Sequence, residues 1–188
     1  MYEEQRTDAE LLDAIRQTDG QDGLEALVRR HTGRVRSIVY PILLNEADAD
    51  DVVQEAMLRA LDGLDGFRSD ATFTTWLHRV AVNTARNFLR SRTRRLRVFV
   101  SDESQEDVAD ELHRTPAREA EAEELNRAIN DAMGRLPPEQ RIALSLVTIQ
   151  RLDEKEAARV AGCAHATLRW RVHRARQRLR QLLGDRVL

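Results

Sequence analysis

Between Arg169 and Arg180 the chain carries six arginines and no acid, while Leu168, Val172, Ala175, Leu179 and Leu182 recur at helical spacing. At about 100° per residue these apolar positions form one stripe for a core. The opposite face gathers Ala166, Trp170, His173, Arg174, Gln177 and Arg180, with Arg169, Arg171, Arg176 and Arg178 on its flanks. One side packs; the other is cationic with an aromatic in its middle. Such a surface suits a polyanion, because arginines neutralise phosphates and groove-facing side chains read bases. A shorter helix, Asp153 to Ala161, is predicted just before it, and the turn "GCAH" places Gly162 where a helix end wants a left-handed residue. This is the spacing of a helix-turn-helix, whose second helix lies in the major groove. Glycine-linked helix pairs also occur in ordinary bundles, so the charge pattern carries the reading.

A second constellation lies upstream, in residues 48–95. Asp51, Gln54 and Glu55 fall at i, i+3 and i+4 and make one acidic helical face. Phe67, Phe73 and Trp76 then bracket a polar loop, and a following helix exposes Arg79, Asn83, Arg86, Asn87 and Arg90 at three- to four-residue steps. Aromatics beside a cationic face suit unstacked, single-stranded bases. Phe73 and Trp76 also fit a core, which is their favoured place.

The elements that must position these groups are helical. Asp8 is placed to cap a first helix that stops near Gly20, and a second runs to Pro41. A third spans about Ala47 to Leu64, with Val53, Met57, Leu61 and Leu64 on one stripe. Asp70 or Thr72 starts a long fourth, with Trp76, Leu77, Val80, Thr84 and Phe88 inward. Only "VFV" at 98–100 is locally β-like. Pro137 and Pro138 open a later helix, as proline does at a first turn. The expectation is an all-α chain of two small helical domains, 1–97 and 119–188, joined by a flexible acidic linker, 98–118, with the helix-turn-helix in the second.

Composition narrows the function classes. The net charge of −2 conceals segregation: residues 86–97 hold six arginines and no acid, whereas residues 101–124 hold ten acids against two arginines. Separate basic blocks fit local contacts with nucleic acid better than a uniformly basic coat would. With Cys163 the single cysteine and five scattered histidines, no disulfide and no metal site is expected. The start, "MYEEQRTDAELLDAIRQ", lacks the pattern of a secretion signal, and no run of 18 apolar residues occurs. A cytoplasmic protein without membrane insertion is expected. No phosphate-cradling glycine loop, nucleophile elbow or paired catalytic carboxylate is present, so neither enzyme activity nor a cofactor is expected.

Residues 48–97 resemble the second region of bacterial sigma factors, through "DADDVVQEAMLRAL" and "FRSDATFTTWLHRVAVNTARNFLR". The segment "LPPEQRIALSLVTIQRLDEKEAARVAGCAHATLRWRVHRARQRLR" is similar to the fourth region, and possession of these two alone resembles the extracytoplasmic function subfamily. The resemblance implies a subunit that binds core RNA polymerase and directs it to promoter DNA, with an anti-sigma factor as a further partner. It implies that Asp51, Gln54 and Glu55 dock on the clamp helices of the largest catalytic subunit. It assigns the proximal promoter element to Phe67, Arg68, Ser69, Asp70, Arg79, Asn83, Arg86, Asn87 and Arg90. It assigns the distal element, read as duplex, to His165, Thr167, Arg169, Trp170, Arg171, Arg174 and Arg176.

A linker of residues 98–118 could span on the order of 70 Å, enough for two major-groove turns at about 34–36 Å each. The chain departs from the family pattern where specificity lies. Ala164 stands where a capping serine is usual, Trp170 where a small polar residue is usual, and Ala157 and Ala161 where bulkier aliphatics are usual. Two other readings stay open: a stand-alone helix-turn-helix regulator, which would leave residues 48–95 unexplained, and, motivated by Ala164 and Trp170, a sigma-derived interaction protein with altered distal-element reading.

Overall fold

The computed structural model describes residues 6–17, 20–67, 72–99 and 117–184. The described residues form helices α1 (Asp8–Gln17), α2 (Gln21–Leu43), α3 (Glu46–Asp62), α4 (Phe73–Phe99), α5 (Ala117–Gly134), α6 (Pro138–Thr148), α7 (Glu154–Ala161) and α8 (His165–Leu183). A single 3-10 turn, Leu64–Gly66, follows α3, and no strand occurs among the described residues.

Several helix ends differ from the sequence expectation, each for a local reason. α1 is capped by Thr7 rather than Asp8. The Glu10 N–H donates to Thr7 Oγ1, and the Thr7 N–H donates back to Glu10 Oε2 at 2.6 Å. This reciprocal box satisfies two orphan amides and releases Asp8 to accept from Arg30 and pair with His31, at 2.8 and 2.9 Å. Burial by itself would raise the Asp8 carboxyl; the hydrogen bonds from Arg30 and His31 outweigh it and hold the group below its ordinary value. α2 passes through Pro41 instead of stopping there. Proline sits close enough to the helix end to cost little of the ladder, and Leu44 closes the helix in a left-handed conformation, φ 59°, its N–H bonded to Tyr40 O. That backbone is disfavoured for leucine; the side chain offsets it by packing on Met133, Leu136 and Leu144. α4 starts at a Thr72 cap, whose Oγ1 accepts from the Thr75 N–H. It runs to Phe99, so helix overrules the local β character of Val98 and Phe99. Within the expected linker, residues 100–116 lie outside the described residues.

The N-terminal helices pack α1 on α2, α2 on α3 and α4, and α3 on α4. The C-terminal helices form a second bundle of α6, α7 and α8, with α5 against α8. Leu168, Val172 and Ala175 are buried along the apolar stripe of α8, while Leu179 and Leu182 are half-buried at its far end. The two halves also meet, α2 lying on α6 and α4 on α7. One apolar core runs through both, from Leu11 and Ile38 through Leu77 and Ala81 to Ile142, Ala157, Ala161 and Leu168. The small residues of α7 leave room for this approach. Polar contacts border it: Gln150 Nε2 donates to Ser37 Oγ at 2.8 Å, Asn130 Nδ2 to the Tyr40 hydroxyl at 3.1 Å, and Thr75 Oγ1 to Glu156 Oε1 at 2.5 Å.

His78 lies beside this seam, 4 % exposed, with neither ring nitrogen hydrogen-bonded. Burial, reinforced by the nearby Arg34 charge and partly opposed by Glu156, pushes it down from 6.5 to about 4. The unfolded chain takes up this proton near pH 6.5 and the folded chain only near 4. The contribution is therefore complete above pH 6.5 and lost as pH falls towards 4, by up to about 3 kcal/mol. A His78→Leu variant is expected to flatten the acid side of a stability–pH curve in this window. If its denaturation midpoints fall in parallel with wild type, the titration belongs to another group.

Candidate nucleic-acid and polymerase interface

α3 presents Asp51, Gln54 and Glu55 to solvent on one face, while Val52, Val53, Ala56 and Met57 turn into the core. The same face continues into Leu58, 55 % exposed, which the sequence reading did not single out. Its position was readable, because 51, 54, 55 and 58 follow one helical stripe. An apolar side chain bordered by acids is a contact surface in miniature. Glu55 is held by Arg59 one turn on, at 2.6 Å.

The aromatic residues after α3 belong to the interior. Phe67 and Phe73 meet edge-on at 5.8 Å, and Trp76 leans on both at 5.3 and 5.6 Å. His31 meets Phe73 edge-on at 5.2 Å. Phe67 and Phe73 are buried and Trp76 is half-buried. This corrects the placement of Phe67: its ring is spent on the cluster and is not presented for base stacking. Its backbone stays near the surface, where Phe67 O accepts from Arg16 Nη2 at 3.3 Å. Arg68, Ser69 and Asp70 lie outside the described residues.

On α4, Arg79, Asn83, Asn87 and Arg90 are exposed, as their spacing predicts, and Leu77, Ala81, Thr84 and Ala85 form the inward face. Arg86 differs. Its guanidinium donates to both carboxylate oxygens of Glu139 at the start of α6, at 2.8 and 3.1 Å, to Ala161 O at 3.1 Å, and to Asn83 Oδ1 at 3.2 Å.

On α8, His165, Thr167, Arg169, Trp170, Arg174 and Arg176 are exposed. Trp170 is 57 % exposed, and the Arg174 guanidinium lies over its ring, 6.0 Å from the centroid. The pair borders an open groove of about 330 Å³ together with Gln140, Gln177, Arg178 and Gln181. Arg169 and His165 both approach Glu154, at 3.5 and 3.2 Å. Arg171 is drawn inward to Glu139 Oε2 at 2.8 Å. Glu139 and Glu154 were not singled out in the sequence. Their partners lie far along the chain, so no local pattern marks them.

Capping of the two helix-turn-helix helices is unequal. Asp153 accepts from the Lys155 and Glu156 N–H groups at the start of α7, and these bonds, Glu156's foremost, hold its carboxyl below the ordinary value. Gly162 ends α7 at φ 62°. At the start of α8, Ala164 has extended cap geometry and no side-chain bond. Ala164→Ser restores an acceptor there and is expected to stabilise the chain by about 0.5–2 kcal/mol. A thermal midpoint no higher than that of wild type would count against this account of the α8 start.

Two helical bundles, one bearing a short-spaced amide and arginine face and the other a helix-turn-helix with a basic second helix, have the make-up of a DNA-binding protein. The family model for Sigma-70 region 2 matches residues 27–95 and that for Sigma-70, region 4 matches residues 126–179. The ECF RNA polymerase sigma-E factor of Haemophilus influenzae is 32% identical over 179 residues, covering 93% of this chain and 94% of that protein. Its Escherichia coli namesake is 34% identical over 179 residues, with 93% of each covered. Among solved structures, that of CnrH in complex with the cytosolic domain of CnrY is similar, with TM-score 0.67 and 28% identity, covering 94% of this chain and 96% of that one. The sigma factor RpoE of Bartonella quintana, solved in complex with the anti-sigma factor NepR, shares the fold, with TM-score 0.69 and 22% identity over 86% of this chain and 96% of its own.

The chain belongs to the ECF branch of the sigma-70 family of RNA polymerase sigma factors. As an alternative sigma factor it binds core RNA polymerase and directs transcription from specific promoters. Among the described residues no helix is long and apolar enough to cross a membrane.

Proposed function

We propose that the three exposed faces divide the work of initiation. The α3 face of Asp51, Gln54, Glu55 and Leu58 docks on the polymerase. Arg79, Asn83, Arg86, Asn87 and Arg90 of α4 hold the proximal element as it melts, together with Phe67, Arg68, Ser69 and Asp70. His165, Thr167, Arg169, Trp170, Arg171, Arg174 and Arg176 of α8 meet the distal element as duplex. The observation that carries this division is the separation of charge on α4. Amides and arginines share one exposed face there, whereas apolar groups fill the other. Arginines attract any phosphate backbone; amides among them add donors and acceptors for exposed base edges.

In this reading residues 1–97 and 119–188 act as the two reading domains and 98–118 as the connection that lets them part. The chain contributes specificity, not catalysis, and works without a cofactor in the cytoplasm, where polymerase and promoter meet. An anti-sigma factor is a further partner. The Bartonella quintana relative, solved with one, supports that assignment.

Reconstituted transcription with core polymerase, this chain and a genomic DNA pool tests the proposal. The expected result is discrete start sites sharing two upstream motifs; random starts, or none beyond core polymerase alone, would overturn it. A second reading, in which the C-terminal half has lost distal-element recognition, is favoured by Trp170, whose bulk stands on the groove-facing side. Trp170→Ser would leave start-site choice untouched if that reading held.

A further inference from the structure

The outward face of α8 carries one large aromatic among its cations, and the fold makes no use of it. Trp170 is 57% exposed and belongs to neither apolar cluster. Its ring is nonetheless braced. The Arg174 guanidinium lies over it, 6.0 Å from the centroid, and Arg174 Nη1 donates to Gln177 Oε1 at 3.0 Å. Positions 170, 174 and 177 follow one helical stripe, so the brace is built within α8 alone. The flanking Arg169 and Arg171 are engaged by Glu154 and Glu139. Arg174 has no carboxylate partner among the described residues; it stacks instead. The ring borders the open groove that it shares with Gln140, Arg178 and Gln181.

We propose that Trp170 determines one position of the distal element by taking the C5 methyl of a thymine on its indole surface, with Arg174 and Gln177 holding the ring in place. The inference rests on the assignment of α8 to that element as duplex, and it names a base that the element must contain. The chemistry is selective. On their major-groove edges guanine, adenine and cytosine present only hydrogen-bond donors and acceptors, whereas thymine adds an apolar methyl. Indole carbon laid on a donor or acceptor strips its water and returns no bond, which is costly. Laid on a methyl, it removes apolar area from water on both sides. The polar edge of the ring points the same way. Indole N–H only donates; thymine O4, beside the methyl, accepts, whereas cytosine N4 donates. Arg174 is a positioning residue in this respect. Its charge suits a phosphate of any sequence, but its stacking decides where the ring stands.

The test uses the full chain assembled with core polymerase, and duplex promoter fragments randomised across the distal element. Wild type should select a motif with a T·A pair at a fixed position. Trp170→Ser should select a motif degenerate at that position and unchanged elsewhere. Replacing that thymine by deoxyuridine removes only the methyl. It should weaken wild-type binding about fourfold, the equivalent of ~0.8 kcal/mol for one buried carbon at 1.4 kcal/mol per tenfold. Trp170→Ser should bind the two fragments equally. At the same position 5-methylcytosine should bind wild type more tightly than cytosine. Arg174→Lys keeps the charge and loses the planar stack. Its preference for thymine over deoxyuridine should fall towards one, which loss of a phosphate contact would not bring about. The deoxyuridine comparison alters only the DNA, so it decides the matter even if a variant fails to fold. Equal binding of thymine and deoxyuridine at every thymine of the wild-type motif overturns the proposal, as does a Trp170→Ser motif identical to that of wild type. If wild type selects no distal motif at all, the assignment of α8 falls first and the thymine contact with it.

Discussion

Core RNA polymerase is expected to bind an Asp51→Arg/Leu58→Glu variant about 100-fold more weakly than the wild-type chain. Two effects add up to roughly 3 kcal/mol, at 1.4 kcal/mol per tenfold. Leu58 is the one large apolar side chain on the exposed α3 face. Burying a leucine at an interface contributes about 1.5–3 kcal/mol, which glutamate forfeits. Reversing Asp51 replaces attraction to a cationic partner group with repulsion, which for a solvated charge pair costs about 1 kcal/mol. Both side chains face water in the free chain, so folding stability should move by no more than about 0.5 kcal/mol. Competition binding with labelled wild-type chain checks the first number, and thermal denaturation checks the second. Binding within threefold of wild type would remove α3 from the docking surface.

Gln54 and Glu55 are expected to matter less. Glu55 already spends its charge on Arg59 at i+4, a pair worth only about 0.3–0.5 kcal/mol when exposed. Its truncation therefore exchanges one weak partner for another. Glu55→Ala should weaken polymerase binding by less than the Asp51 reversal does.

The fold was legible in the sequence wherever one helix decides its own fate. The stripe Leu168, Val172, Ala175 is buried, Gly162 is left-handed and Ala164 leaves its helix uncapped, because each depends on neighbours within a turn or two. The exposed face of α4 was legible for the same reason. Helix ends were less so. At Thr7 and Asp8, two residues could each cap, and the choice is made by Arg30 and His31, more than twenty positions away. Pro41 was read as a stop, yet the α2 core contacts of Ile42 and Leu43 carry the helix two residues further.

Long-range partnership was not legible at all. Periodicity shows that a residue faces outwards but not what it meets there. Arg86 has the same spacing as Arg79 and Arg90, and only α6 distinguishes it. Phe67 was read as a promoter contact, and only the packing of Phe73 and Trp76 around it shows that its ring is buried. The departure at Ala157 and Ala161, where bulkier aliphatics are usual, acquires its sense in packing: small side chains on α7 admit α4.

Promoter opening is expected to fall at least tenfold in an Arg86→Ala/Asn87→Ala variant, and by no more than about threefold in Arg176→Ala. Arg176 is an exposed flank residue of α8, suited to one phosphate. Its loss should weaken binding across all sequences and reduce the salt dependence of log affinity by about one unit. In the proposed division of work Arg86 and Asn87 meet the strand that must be kept single. A hydrogen bond from a charged group contributes about 1.5–3 kcal/mol and a neutral one about 1 kcal/mol, so losing both removes enough to return a marginal bubble to duplex. The double variant should bind a duplex distal-element probe about as well as wild type, while permanganate finds fewer reactive thymines at the start site. Retained duplex affinity with reduced strand opening is hard to produce by misfolding, which would depress both. Arg176→Ala impairing opening as much as the double variant would move the melting surface off α4.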